Sequence, residues 1–272
     1  MITIQGDTVS TTSPEGKTAS MPLEAFLEKV SPQVIHTGED IIPDGVKAIR
    51  TIGNVTFVVH ESSPQIYNLK WIRENSPKPY GQGATYRNAR IALPYMYIIA
   101  AFNQDRRLLI ENECFFRIAP LTNWEDDLLF PALLNCSAWP GNQASAHRSW
   151  ICTQHLNFSN VHSAKHPIRA AITALHQCLI GTGFNRSSEN HEGSSWYEES
   201  KGIDERISTI AKWEEATVKD PLFVLDVPWL KTNHTLKSMC ELVANGLNGG
   251  AKKPKMDAAM LAKYIFSNKG GK

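Results

Sequence analysis

The run Ile91–Phe102 is the longest apolar stretch in the chain, and it limits the folds available. It falls well short of the roughly 20 residues a membrane-spanning helix needs, so no segment is expected to cross a membrane. A stretch this apolar leaves no face for water, and Arg87–Asn103 therefore reads as a central strand buried on both faces. Pro94 lies inside it without an N–H to donate, which calls for a bulge or a ladder position needing no donor. On one continuous strand Leu93, Tyr97, Ile99 and Ala101 share a face, opposite Ile98 and Ala100.

Neighbouring strands are signalled on either side. Pro43-Asp44-Gly45 is a turn, followed by β-rich runs at Val46–Ile52, Val55–His60 and Gln65–Ile72. Residues 73–86, rich in Ser, Pro and Gly, read as a loop, and Asn103-Gln104-Asp105 turns the chain into Arg107–Ile118. The expectation is an antiparallel meander over about 46–118. Near the start, Ile2–Gln5 and Thr8–Thr12 read as a hairpin, and Pro22–Leu27 as a short helix opened by Pro22. After residue 118 come irregular loops, then helices at Asp204–Val218, Thr235–Leu247 and Met256–Phe266. Strands first and helices later predict an α+β fold: an antiparallel meander flanked by helices, with a helical C-terminal extension. The expected parts are 1–45, 46–202 and 203–272. Trp213 and Asp220–Leu230 read as packing anchors, and Asp126-Asp127 as a solvated helix start or loop.

Charge and cysteines narrow the function. With 28 basic and 27 acidic residues the net charge is +1, which gives no electrostatic case for nucleic acid. Lys252, Lys253 and Lys255 read as a solvated tail. Five cysteines, an odd number without a CxxC pair and without a leading signal segment, suggest a reduced cytoplasmic protein. Neither GxGxxG nor GxxxxGK[ST] occurs, so no nucleotide cofactor is expected, and Ser194 lacks the GxSxG elbow of serine hydrolases.

The chemistry concentrates in 150–197. Trp150-Ile151-Cys152 ends a short apolar segment ahead of an amphipathic helix opened by Pro167, whose inward face is Ile168, Ala171, Ile172, Leu175, Cys178 and Leu179. That arrangement presents a thiol at a protected but reachable edge; the competing reading is a small buried hydrophobe. His147, His155, His162 and His166 crowd around Cys152, but their spacings match no zinc pattern, and they read as surface loop histidines. The polar stretch between Phe184 and Trp196 carries His191 and Glu192, an acid–base pair if they reach the thiol. Burying the two aromatics would tether Ser187–Ser195 as an ordered flap beside Cys152.

Arg90–Asn185 resembles the ubiquitin-conjugating (UBC) fold, especially its divergent prokaryotic members such as the PRTRC system protein B family. Phe115–Pro120 looks like the end of that family's meander, and Trp139-Pro140-Gly141-Asn142 stands near its His-Pro-Asn motif, which is not intact here. Trp150-Ile151-Cys152 is similar to the segment carrying the thioester cysteine, and Ile168–Asn185 to the helix after it. The resemblance implies a carrier that accepts a thioester on Cys152, with Asn142 as oxyanion donor, and with an activating enzyme and a ubiquitin-like modifier as partners. Relatives without activity imply the alternative, a non-catalytic UBC-like scaffold or protein-binding subunit of a mobile-element or defence-associated multiprotein system. Seven tryptophans, several in polar loops, fit that alternative.

Overall fold

The structure, a computed structural model, describes residues 2–5, 8–12, 18–22, 42–139 and 147–249. The chain divides into two compact units, one of residues 1–38 with 248–272 and one of 39–247. In the first, β1 (Ile2–Gln5), β2 (Thr8–Thr12) and β3 (Thr18–Pro22) form an antiparallel sheet in that order. The expected hairpin is therefore present. Pro22 does not open a helix; it closes β3 opposite Thr8, at a strand end where a missing donor is tolerated. The rest of that expected helix, and the one at Met256–Phe266, lie outside the described residues.

The second unit is α+β with mostly antiparallel sheets. Its first strands are β4 (Val46–Ile52), β5 (Val55–Ser62), β6 (Gln65–Ile72) and β7 (Tyr86–Leu93), then β8 (Tyr95–Phe102) and β9 (Glu113–Arg117). Shorter pieces follow: β10 (Asp127–Leu129), β11 (Cys136–Ala138), β12 (Trp150–Ile151), β13 (Gly183–Phe184), β14 (Ser194–Ser195) and β15 (Lys231–Thr235). A nine-stranded sheet runs β14-β11-β12-β9-β8-β5-β4, with β10 joining β9 to β15. A three-stranded sheet runs β13-β6-β7, with β13 parallel to β6.

Pro94 explains why there are two sheets. Without an N–H it cannot continue a ladder, so the expected single strand breaks there. Before it, Leu93 pairs with Gln65 in the small sheet; after it, Tyr95 pairs with Arg117 in the large one. Leu93 thus does not share a face with Tyr97, Ile99 and Ala101. The expected meander is interrupted as well. β4, β5, β8 and β9 are consecutive neighbours, while the β6–β7 hairpin leaves for the second sheet. The apolar stretch is still buried on both faces, since every residue from Met96 to Phe102 is buried.

The helices are α1 (Phe158–His162), α2 (Pro167–Leu179), α3 (Ser187–His191), α4 (Trp196–Ser200), α5 (Ile210–Lys219) and α6 (Leu236–Gly249). Pro167 takes the first turn of α2, and the buried face is the six residues expected, packed across β8 and β12. α5 covers the open edge of β7. Trp213 Nε1 donates to the Ala92 carbonyl at 2.9 Å, and the Ala92 and Arg90 amides donate to Thr217 Oγ1 and Glu214 Oε1, each at 2.9 Å. Helix side chains thereby occupy backbone groups that a further strand would have paired. Residues 203–247, placed at first in a C-terminal extension, belong to this same unit because of α5 and the β10–β15 pairing. Asp126 is also not solvated. Arg117 Nη1 at 2.6 Å and the Thr122 and Asn123 amides hold it, and although burial opposes ionisation they bring its pKa down to about 2.

Two predictions follow from this packing. Leu175 is fully buried at the centre of α2, so Leu175→Ala is expected to cost about 2–5 kcal/mol in urea denaturation; a loss near zero would misplace the helix face. Nearby, His176 Nε2 meets His60 Nδ1 at 3.0 Å, and burial, then the charge of His60, lower the His176 pKa to about 4. The unfolded imidazole takes a proton near pH 6.5 and the folded one resists, so stability is complete above pH 6.5 and falls as pH drops toward 4. The pair's share is of order 2 kcal/mol after screening of a part-exposed ring. Denaturation midpoints of His176→Asn should show a shallower slope across that window, and equal slopes would clear the pair.

Candidate functional site

Cys152 directly follows β12 and is half-buried, unlike the other four cysteines, which are buried. Its backbone is pinned where its amide donates to the Asn135 carbonyl at 3.1 Å, and Asn135 Nδ2 in turn reaches the Leu179 carbonyl at the end of α2 at 3.4 Å. The strand that delivers the thiol and the helix behind it are thus tied through one asparagine. Burial pushes the thiol pKa up, the backbone of Gln154 opposes this, the Glu192 carboxylate adds to it and the Ser187 hydroxyl opposes it. Cys178 lies close enough behind for the Cys152 charge to matter, and burial first, then Cys152, push its pKa to about 11.

The stretch from Phe184 to Trp196 is anchored at both ends. Phe184 stacks on Trp71 at 5.3 Å between ring centroids, and Trp196 stacks on Phe130 at 3.5 Å while donating from Nε1 to the Arg148 carbonyl at 2.9 Å. Between them the chain does not project as a flap. It forms α3, then β14, which pairs with β11 through Ser137↔Ser195 and closes that edge of the large sheet. This brings Ser187 and Glu192 to the thiol. His191 is exposed and sets its ring against Tyr80, 5.4 Å between centroids, so of the expected acid–base pair only Glu192 is among the groups acting on Cys152. Burial raises the Glu192 carboxyl above the usual carboxylate range, which suits a group that takes up a proton. Asn142 lies outside the described residues.

Beside Glu192 is a pocket of about 260 Å³ lined also by Glu111, Trp139, Arg148 and Trp150. Arg148 is its organiser. Its guanidinium bonds Glu111 and Glu113, with Nε to Glu113 Oε1 at 2.7 Å, and Glu113 Oε2 accepts the Ser149 amide at 2.6 Å. Glu113 is wholly buried, so burial drives its carboxyl toward neutrality and Arg148 works against that. A buried carboxylate with a bidentate guanidinium is stable as a pair and costly to split. Ser187, Ser137, Arg148 and Glu111 were not among the residues expected at the site. Glu111 and Glu113 had a signal: residues two apart share a face of extended chain, and two carboxylates together call for a cation that donates to both. Ser187 and Ser137 had none: Ser137 meets Ser195 across the β11–β14 pairing and its hydroxyl bonds that of Ser188 at 3.0 Å, contacts between segments far apart in sequence.

The histidines do not converge. His147 packs its ring on His234 at 5.0 Å, His162 Nε2 bonds the Leu108 carbonyl at 3.0 Å, and His155 is exposed. Among the described residues no group of three or more His, Cys, Asp or Glu side chains is placed to hold a metal ion. Among them, too, no helix is long and apolar enough to cross a membrane. No protein-family model, no curated protein and no solved structure matches the chain.

The arrangement joins a part-accessible thiol, the Ser187 hydroxyl that eases its ionisation and a carboxylate of raised pKa. The exposures make a prediction. Iodoacetamide should label the folded protein at one cysteine, Cys152, with a pH midpoint above 9, and at all five after unfolding. Ser187→Ala should move that midpoint higher still. Peptide mapping after labelling reads both, and prior labelling of Cys178 would place the exposed thiol elsewhere.

Proposed function

We propose that the chain is a ubiquitin-conjugating-like carrier that accepts an acyl group as a thioester on Cys152. The observation that carries this reading is the position of Cys152: half-buried just past a strand end, backed by α2, with Ser187 and Glu192 among the groups that act on its ionisation. The run of neighbours β4-β5-β8-β9, followed by irregular chain, the cysteine and a helix, supports a UBC-like core, with the β6–β7 hairpin as a departure from it. In this reading the Cys152 sulfur attacks the carbonyl of a donor thioester. A new S–C bond forms, the donor S–C bond breaks, the Cys152 proton passes to Glu192, and the donor leaves as a thiolate that regains a proton. Asn142 is assigned the oxyanion. An amine then takes the acyl group and releases the thiol. The partners are an activating enzyme and a ubiquitin-like modifier, in a reducing compartment that suits five free cysteines.

A second reading, a non-catalytic protein-binding scaffold, is favoured by one observation: burial holds the Cys152 thiol protonated, and a thiol is a far weaker nucleophile than a thiolate. One experiment separates the two. Incubation with an activating enzyme, its modifier and ATP should give an adduct on the chain that dithiothreitol removes. Cys152→Ala should abolish it and Cys152→Ser should replace it by a thiol-resistant ester, with circular dichroism showing both variants folded. An adduct that survives Cys152→Ala would end the carrier reading, and no adduct with any partner pair would leave the scaffold.

A further inference from the structure

A second, larger cavity is away from the pocket at Glu192. It is a cleft of about 710 Å³ between the end of the β6–β7 hairpin, α4 and the first turn of α5. Its volume is within the range of small-molecule sites. Four cations converge on it from separate segments: Arg73, Arg87, Arg186 and Lys201. Three carboxylates face them, Glu74, Glu198 and Glu214, and two of these are already committed. Glu214 binds Arg87 at 2.5 Å and the Arg90 amide, while Glu198 is shared by Lys201 and, at 3.5 Å, Arg186. Arg73 differs from the other cations. Its Nε donates to the Tyr86 carbonyl at 3.1 Å, which fixes the guanidinium, and among the described residues it has no carboxylate partner. The planar fork of an arginine held this way suits a phosphate.

Two further observations describe the rest of a ligand. Glu198 Oε1 is shielded from solvent, and the donor nearest it, Arg186 Nη1 at 3.5 Å, makes an ion pair without a well-formed hydrogen bond, so the oxygen can still accept one. A hydroxyl on the ligand would supply one. At the other wall Thr209 caps α5 by accepting the Lys212 amide, so the amides of Ile210 and Ala211, which line the cleft, have no partner within the helix. They add donors on the side where an anion would sit. Convergent cations, one uncommitted guanidinium and one shielded acceptor are together more than a helix end or a surface ion network. We infer that this cleft binds a sugar phosphate, its phosphate on Arg73 with Arg87 or Arg186, and a ring hydroxyl donating to Glu198. The inference is independent of the thioester reading.

Ligand-observed NMR with the full chain tests it, using ribose 5-phosphate, inorganic phosphate, ribose and adenosine 5′-monophosphate as probes. Ribose 5-phosphate should bind about tenfold or more tighter than phosphate, and ribose alone should not bind, because both ends of the ligand are held. Adenosine 5′-monophosphate tighter than ribose 5-phosphate would make the natural ligand a nucleotide; weaker binding would make it a simple sugar phosphate. Arg73→Gln should weaken both phosphate and ribose 5-phosphate about tenfold. Glu198→Gln should weaken only the sugar phosphate. Should either variant fail to fold, amide shifts in the wild-type protein serve instead, and they should be confined to Arg73, Ile210, Ala211 and their neighbours. Phosphate binding as tightly as ribose 5-phosphate, or shifts scattered elsewhere, would overturn the inference.

Discussion

A single missing N–H organises the larger unit of this protein. The chain carries an apolar ribbon long enough to form one strand through the whole core, and Pro94 divides it. Each half then pairs where it still can, β7 with β6 and β8 with β5 and β9. The consequence is two sheets fed by one ribbon, each burying its part. Had the ladder run unbroken, the β6–β7 hairpin would have stayed in the large sheet, and the cleft below it would have no wall.

From that division the site assembles outward. β9 brings Glu113 into the core, where burial alone would neutralise it, and Arg148 from the chain before β12 keeps it paired. The pair lies beside the contact of β12 with β9, and Cys152 directly follows β12. On the far side β14 adds itself to β11 and draws α3 with it, so that Ser187 and Glu192 arrive at the thiol without either being near it in sequence. The surroundings of Cys152 are therefore set by two sheet edges and an ion pair as well as by the nearby backbone of Gln154.

What could be read in the sequence follows from this. The buried face of α2 was legible residue by residue because helical spacing is local, and so were the strands β4 and β6, whose bounds are set by nearby turns. The anchoring of Phe184 and Trp196 was legible from the cost of leaving large aromatics in water. The break at Pro94 was only half legible. Its need for a special position was evident, but a bulge and a change of sheet look alike until the partners are known. Asp126 misled because an acidic pair ordinarily faces water, whereas Arg117 on β9 and the Thr122 and Asn123 amides turn its carboxylate inward. At the site, Cys152 and Glu192 could be singled out, whereas Ser187 could not. Asn142 belongs to a segment the structure does not describe.

The covering of β7 by α5 has a consequence for how the chain is made. Ala92 and Trp213 are 121 residues apart. At about 5–20 residues per second, the edge of β7 leaves the ribosome roughly 6–24 s before the helix that covers it. For that interval an edge strand presents unpaired amides and carbonyls to its surroundings, the condition under which nascent chains pair with one another. The yield of folded protein is thus tied to what shields this edge during synthesis, and slowing translation between the two segments would lengthen the exposure without altering any contact in the finished fold.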